Sequence, residues 1–185
     1  MNKIIAAMQN SLKGALVSML ALGATAFSGG ASAATNASST ATATVVAPIA
    51  ITKATDLNFG SFYPGATLGT VDINTNSTRS VSGGVLTASN GVPPTAAKFD
   101  VTGSASATYT ITYASGVTLI GPGAPMALTQ ISDLTGAGGA TTLALTGALS
   151  AGGTQSIHLG GSLAVAANQA IGIYTGNISA TVTYN

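Results

Sequence analysis

Apolar and polar side chains alternate along most of this chain, a pattern typical of β-strands with one buried face. The most regular internal run covers residues 108–113, where Tyr109, Ile111 and Tyr113 alternate with threonines. The C-terminal run begins at Gly172, and from there every even position is apolar, aromatic or glycine. Helical periodicity is not sustained anywhere after the N-terminal region. These runs predict strands and no helix.

Turn-forming residues separate the runs at short intervals. Pro64-Gly65, Ser89-Asn90-Gly91 and the loop 121–125 combine glycine, proline and asparagine, which favour tight turns. About ten short strands separated by such turns are typical of an antiparallel sandwich. We therefore predict an all-β fold, an Ig-like antiparallel β-sandwich, as a single domain over residues 41–185. The pattern leaves open whether the sandwich is completed by a strand from another molecule.

A long alternation over residues 41–51 precedes the other strands. Eleven extended residues reach about 36 Å, the full edge of a sandwich, and Pro48 requires an edge position or a bend because it lacks an amide N–H. The same pattern fits a donor strand that pairs with a neighbouring subunit and the domain's own first strand, so both assignments stay open. The predicted apolar face comprises Ala41, Ala43, Val45, Ala47, Ile49 and Ile51.

Residues 1–33 have the composition of a bacterial signal peptide. Lys3 and Lys13 provide positive charge, and residues 15–27 form an apolar run that is shorter than the roughly 20 residues of a membrane-spanning helix. Ala31-Ser32-Ala33 matches the small-residue cleavage pattern. The sequence thus predicts export to the periplasm, the cell surface or the medium, with no membrane span.

Cleavage is expected between Ala33 and Ala34, leaving residues 34–40 as a flexible polar lead-in. The mature part carries three basic and four acidic side chains, so a nucleic-acid partner is not expected. There is no cysteine, which excludes disulfides. Threonine, serine, asparagine and glycine dominate instead of charge, which suits contact with copies of the same chain and equally suits an ordinary extracellular β-protein.

Candidate chemistry is sparse. His158 is the one histidine, and no serine in a nucleophile-elbow motif accompanies it. The run that begins at Asp72 has oxygen side chains at alternate positions, but Ser77 stands where a calcium loop needs glycine and Gly83 stands at the position of the bidentate acid. We therefore predict no enzyme activity, no metal site and no cofactor.

Two groups of proteins resemble this chain. The C-terminal alternation, with a penultimate tyrosine and a glycine fourteenth from the end, resembles the terminal motif of pilus subunits assembled by the chaperone–usher route. Pro48-Ile-Ala-Ile51, Asp56-Leu-Asn-Phe-Gly60, Tyr109-Thr-Ile-Thr112 and Gly172-Ile-Tyr-Thr-Gly176 resemble a bacterial secreted family, the domain of unknown function numbered 4402.

The pilin resemblance implies a subunit of a pilus-like surface assembly that is joined by β-strand addition. Its partners would be copies of itself or related subunits, a periplasmic chaperone and an outer-membrane usher. The alternative is a self-complete secreted sandwich that acts as a binding or adhesion module. The predicted subunit or chaperone interface comprises Gly172, Tyr174, Ile178, Ala180, Val182 and Tyr184.

Overall fold

A computed structural model describes residues 35–89 and 91–185. This part of the chain contains twelve strands and no helix, so no helix in it could span a membrane. The signal peptide and the cleavage site between Ala33 and Ala34 lie outside the described residues. The strands are β1 Ala50–Thr55, β2 Phe62–Tyr63, β3 Gly69–Ile73, β4 Arg79–Gly83, β5 Leu86–Thr87, β6 Ala97–Thr102, β7 Thr108–Tyr113, β8 Thr118–Leu119, β9 Met126–Asp133, β10 Thr146–Ala148, β11 Thr154–Val165 and β12 Ala180–Tyr184.

The prediction of an all-β antiparallel sandwich is confirmed. The larger sheet has seven strands and is built around β11. One edge of β11 pairs first with β6 and then with β3, while the other edge pairs with β9. Strands β1, β4 and β8 extend the sheet from β6, β3 and β9. The smaller sheet has the order β10-β7-β12, and β2 pairs with β5 in a separate ribbon.

The apolar side chains form two core clusters. One cluster contains Val71 and Leu163 at one end of the sandwich, and the other contains Tyr109 and Ile157 at the opposite end. Strand β7 shows why the alternation produces this core, because its tyrosines and isoleucine point inward while its threonines are exposed. Ile178 is half-buried against both clusters.

The register of β11 defines two ends of the sandwich. Thr154 pairs with Thr102, which pairs with Ala50, so β1 begins at what we call the Ala50 end. Val165 pairs with Gly69 at what we call the Val165 end. The twelve residues of β11 separate the two ends by about 36 Å.

The predicted strand over residues 41–51 is wrong in its extent. Strand β1 begins at Ala50 and pairs with β6, whereas residues 35–49 have no regular secondary structure. Ile49 and Ile51 are half-buried against the second cluster of their own domain. The alternation predicted an apolar face, but a β-strand also needs a neighbouring strand to pair with. Residues 41–49 have no such neighbour in the described chain.

The predicted C-terminal strand is also shorter than expected, because β12 covers only Ala180–Tyr184. The alternation in burial nevertheless continues upstream, where Tyr174 and Ile178 are half-buried and their neighbours are exposed. A one-sided segment therefore precedes β12 without pairing regularly.

Candidate functional site

A groove of about 990 Å³ opens between the segment that follows β1 and the segment that precedes β12. Its walls are residues 55–64 and residues 169–178. Its floor consists of core side chains from β6, β8, β9 and β11, all of them buried except Leu119. The floor residues are Ala97, Phe99, Leu119, Met126, Leu128 and Leu163.

The first wall is held by local turn chemistry. Asn58 exchanges two backbone hydrogen bonds with Thr95, and its side-chain oxygen accepts the N–H of Gly60 at 2.7 Å. Gly60 has a φ of +71°, and a Cβ there would lie 2.8 Å from the carbonyl oxygen of Val92, so this position requires glycine. The turn directs the half-buried Phe62 toward the first core cluster.

The side chain of Arg79 also holds the first wall in place through hydrogen bonds to its backbone. Its guanidinium donates to the carbonyl oxygens of Phe59 at 3.1 Å, Ser61 at 2.9 Å and Ala88 at 3.4 Å. A charged, planar donor group can satisfy several carbonyls at once, and such bonds are stronger than those between neutral groups. Arg79 is thus a positioning residue for the groove.

The second wall has an open backbone. In the described chain, the only backbone–backbone hydrogen bonds of residues 170–178 are the two between Thr175 and Ile120. The ring of Tyr174 holds the segment in place, because its hydroxyl accepts the N–H of Gly123 at 2.9 Å and donates to the carbonyl of Ala170 at 2.9 Å. The wall is ordered by a side chain and leaves most of its backbone groups without a strand partner.

Gln169 adds a buried acceptor to the groove. Its side-chain amide donates to the Ala124 carbonyl at 2.7 Å and to the Tyr174 hydroxyl at 2.8 Å. The side-chain oxygen is buried and has no hydrogen-bond partner among the described residues. A buried polar atom without a partner is costly to the stability of the fold.

The segment before β1 is exposed and apolar. Val45 is 96% exposed and Val46 is 62% exposed. Within the described part of the chain, side-chain hydrogen bonds anchor the segment only at its base, where the N–H of Ala47 donates to Ser104 Oγ at 3.1 Å. The Tyr184 hydroxyl accepts the N–H of Ser104 at 2.6 Å and donates to the carbonyl of Ala47 at 2.9 Å. We call these hydrogen bonds among Ala47, Ser104 and Tyr184 the clasp, and they lie at the Ala50 end.

The structure divides the predicted interface residues into two groups. Gly172, Tyr174 and Ile178 line the groove, whereas Ala180, Val182 and Tyr184 form the inner face of β12 against the second cluster. In the predicted donor strand, Ala41, Ala43, Val45 and Ala47 precede β1 and are exposed, while Ile49 and Ile51 belong to their own domain. The floor residues and Arg79 were missed by sequence analysis. Gly60, a glycine with positive φ, is the one residue in the sequence that could have indicated the first groove wall.

His158 lies on β11 opposite Asp133 of β9. The Asp133 carboxylate accepts hydrogen bonds from the Thr75 hydroxyl and from the N–H groups of Thr135 and Gly136. Burial acts to raise the pKa of Asp133, but these hydrogen bonds and the nearby His158 outweigh it and hold the pKa below its ordinary value. The carboxylate therefore fastens the loop after β9. No three metal-ligating side chains come together in the described residues.

Comparison with protein-family models matches residues 49–184 to a domain of unknown function, DUF4402. The match covers every strand described above and begins at the base of the exposed segment. No curated protein and no solved structure matches the chain.

Proposed function

The chain belongs to the DUF4402 family, and we propose that this protein is an exported structural subunit whose groove accepts a β-strand from a second copy. One observation carries the proposal. A groove with an apolar floor lies beside backbone that has almost no strand partner among the described residues, and the segment before β1 alternates and likewise has no strand partner among them. Strand addition would give a partner to the groove and to the segment, because the backbone beside the groove supplies hydrogen bonds and alternate side chains of the segment enter the groove.

The groove has the chemistry that an added strand needs. Its floor is aliphatic and aromatic, so it favours apolar side chains. The free backbone groups of residues 170–178 can form a ladder with an incoming strand.

The donor in this proposal is the segment before the clasp. Ile49 and Ile51 already pack in their own domain, so the donor is limited to residues up to Ala47. Residues 41–47 in extended form span about 23 Å. Ala41, Ala43 and Val45 would face the groove floor, and Val45 is the largest of them.

Connectivity favours joining two copies over self-insertion. The donor leaves its domain at the Ala50 end, while the groove lies between residues 55–64 and 169–178 toward the Val165 end. A contact between opposite ends of two identical subunits is head-to-tail and does not close. It therefore propagates as a fibre.

Export is part of the proposal, with the signal peptide removed between Ala33 and Ala34. We expect the exported protein to begin Ala34-Thr35, because the charged start, apolar run and small-residue site meet the requirements of signal cleavage. N-terminal sequencing of protein recovered outside the cytoplasm measures this. A start at Met1 in that material would contradict export by this route. A periplasmic chaperone and an outer-membrane usher are the assembly partners we propose.

Val45→Asp is expected to abolish assembly of the mature chain, because a carboxylate that faces the apolar groove floor loses its hydration. Lys53, the one lysine among the described residues that line the groove, is already paired with Asp56 at 2.6 Å. Thr44→Asp is the matched control. Its side chain lies on the opposite face of the extended donor and would point to solvent. Size-exclusion chromatography of both variants beside the wild type measures the assembly, and thermal melting measures the stability of each subunit.

The two variants separate the possibilities. Both positions are exposed, so neither variant should lower the melting temperature of an isolated subunit. Equal assembly of Val45→Asp and Thr44→Asp would rule the donor strand out, as would a wild-type chain that remains monomeric. Marked destabilisation of the monomer by Val45→Asp alone would show instead that the segment completes its own domain.

The second candidate is a self-complete secreted sandwich that binds or adheres through the groove. It is favoured by β1, which pairs with its own β6 and shows that the described domain possesses a first strand. A groove of about 990 Å³ also has the size of a site for a small apolar ligand. A monomeric wild type would support this function.

A further inference from the structure

We infer that an apolar collar around the groove forms a second contact in the assembly, seated against the Ala50 end of the next copy. The inference rests on the proposed function. It concerns residues that neither the donor nor the groove floor uses. The collar is defined as the exposed side chains of Tyr63, Leu68, Leu86, Ile171 and Ile173.

The hydrogen bonds and strand pairs place the collar at the Val165 end. Tyr63 pairs with Leu86 in the β2–β5 ribbon, and the carbonyl of Leu68 accepts the N–H of Gly84 just before that ribbon. Leu68 directly precedes β3, whose first residue pairs with Val165.

Ile171 and Ile173 complete the collar from the second groove wall. The N–H of Asn168 donates to the carbonyl of Gly65 at 2.8 Å, which brings the start of that wall to the same end of the sandwich. Tyr63, Ile171 and Ile173 therefore line the groove, while Leu68 and Leu86 lie at the same end of the sandwich.

Most of the large exposed apolar side chains belong either to the collar or to the donor segment. Of ten such side chains in the described residues, five form the collar and two, Val45 and Val46, belong to the donor segment. Exposed apolar side chains gathered in one region mark interaction surfaces, whereas scattered ones need no explanation.

The Ala50 end has the surface that would receive the collar. It consists of two loops, residues 103–107 and 150–154, which contain only glycine, alanine, serine and threonine. The loops are tied together, since Gly103 donates to the carbonyl of Gly153 and Ser106 donates to that of Ser150. A surface of small, uncharged side chains can approach a protruding apolar collar closely without burying a charge.

The position of the clasp explains why the collar of one copy would contact the loops of the next copy. Ala47 is held to Ser104 and Tyr184, so the donor leaves its subunit directly beside the loop 103–107. A donor seated in the groove of another copy then has little free chain between groove and clasp. The loops of the donating copy must lie over the groove mouth, where the collar stands.

Leu68→Asp and Leu86→Asp test the collar, because both side chains are exposed, at 73% and 66%, and neither lines the groove. Leu145→Asp is the matched control, since Leu145 is 57% exposed and lies beside Ile111 in the smaller sheet. Dissociation of the assembled full chain on dilution is followed by size-exclusion chromatography. Binding of a synthetic peptide of residues 35–47 to each variant is measured in parallel.

Each collar variant is expected to dissociate about tenfold faster than the wild type, with peptide binding unchanged, while Leu145→Asp behaves as the wild type. Unchanged dissociation with normal peptide binding would overturn the collar and leave strand addition intact. Loss of peptide binding in the collar variants would also overturn it, because the effect would lie in the groove. A wild-type chain that neither assembles nor binds the peptide would instead refute strand addition itself.

Discussion

Gly160→Val is expected to prevent the mature chain from folding, with a loss of more than about 4 kcal/mol in the free energy of unfolding. Gly160 is buried in β11 between the stretch that pairs with β6 and the stretch that pairs with β3. A Cβ at this position would lie 2.1 Å from the carbonyl oxygen of Ile73 and 3.0 Å from the carbonyl carbons of Ile73 and Asn74. Backbone atoms cannot rotate away as a side chain can, so the central strand would have to move.

Circular dichroism and the yield of soluble protein measure this loss. Gly152→Ala is the control, because Gly152 is exposed and a Cβ there would meet only Ser150 Oγ at 3.7 Å. We expect this variant to match the wild type within about 0.5 kcal/mol. A folded Gly160→Val protein of wild-type stability would show that the backbone of Ile73 and Asn74 does not crowd this glycine.

Arg79→Ala is expected to lower the free energy of unfolding by about 3 kcal/mol and to weaken binding of the 35–47 peptide. The substitution removes a charged donor from three carbonyl oxygens in and beside the groove wall, and loss of a charge-assisted hydrogen bond to a part-buried acceptor is costly. The Ser61 carbonyl keeps the N–H of Ala88 at 3.2 Å. Denaturant unfolding measures the stability, and fluorescence of a labelled peptide measures the binding.

Lys98→Ala provides the comparison for Arg79. Lys98 also carries a positive charge on a strand, but it forms a partly exposed ion pair with Asp100 at 3.1 Å. Removing such a pair changes stability by less than about 1 kcal/mol. Equal effects of the two substitutions would mean that Arg79 does not organise the wall, whereas Arg79→Lys should fall between them because an ammonium lacks the planar fork.

Side-chain orientation was predictable from sequence wherever two faces differ in polarity. Strand β7 was predicted over its full length, and Tyr109 and Ile111 are buried as expected. The C-terminal alternation likewise gave the correct sides for Tyr174 and Ile178. The fold class followed from these patterns because period-two alternation has no other regular solution.

Strand partners were not predictable in the same way. Residues 41–49 and 174–179 also alternate over much of their length, yet neither is a strand, because pairing depends on which backbone lies alongside. Arg79 escaped notice for a related reason, since the carbonyls that it binds come together only in the folded chain.

The direction of β1 determines how the domain would respond to mechanical force. The exposed segment leaves from Ala50, the outer end of β1, so tension on that segment pulls the strand along its own axis. Hydrogen bonds between antiparallel strands lie perpendicular to that axis, and all the β1–β6 bonds would therefore be loaded together in shear. The Ala47 clasp would take the first load. The domain would therefore resist tension on the segment with the whole β1–β6 ladder at once rather than one hydrogen bond at a time.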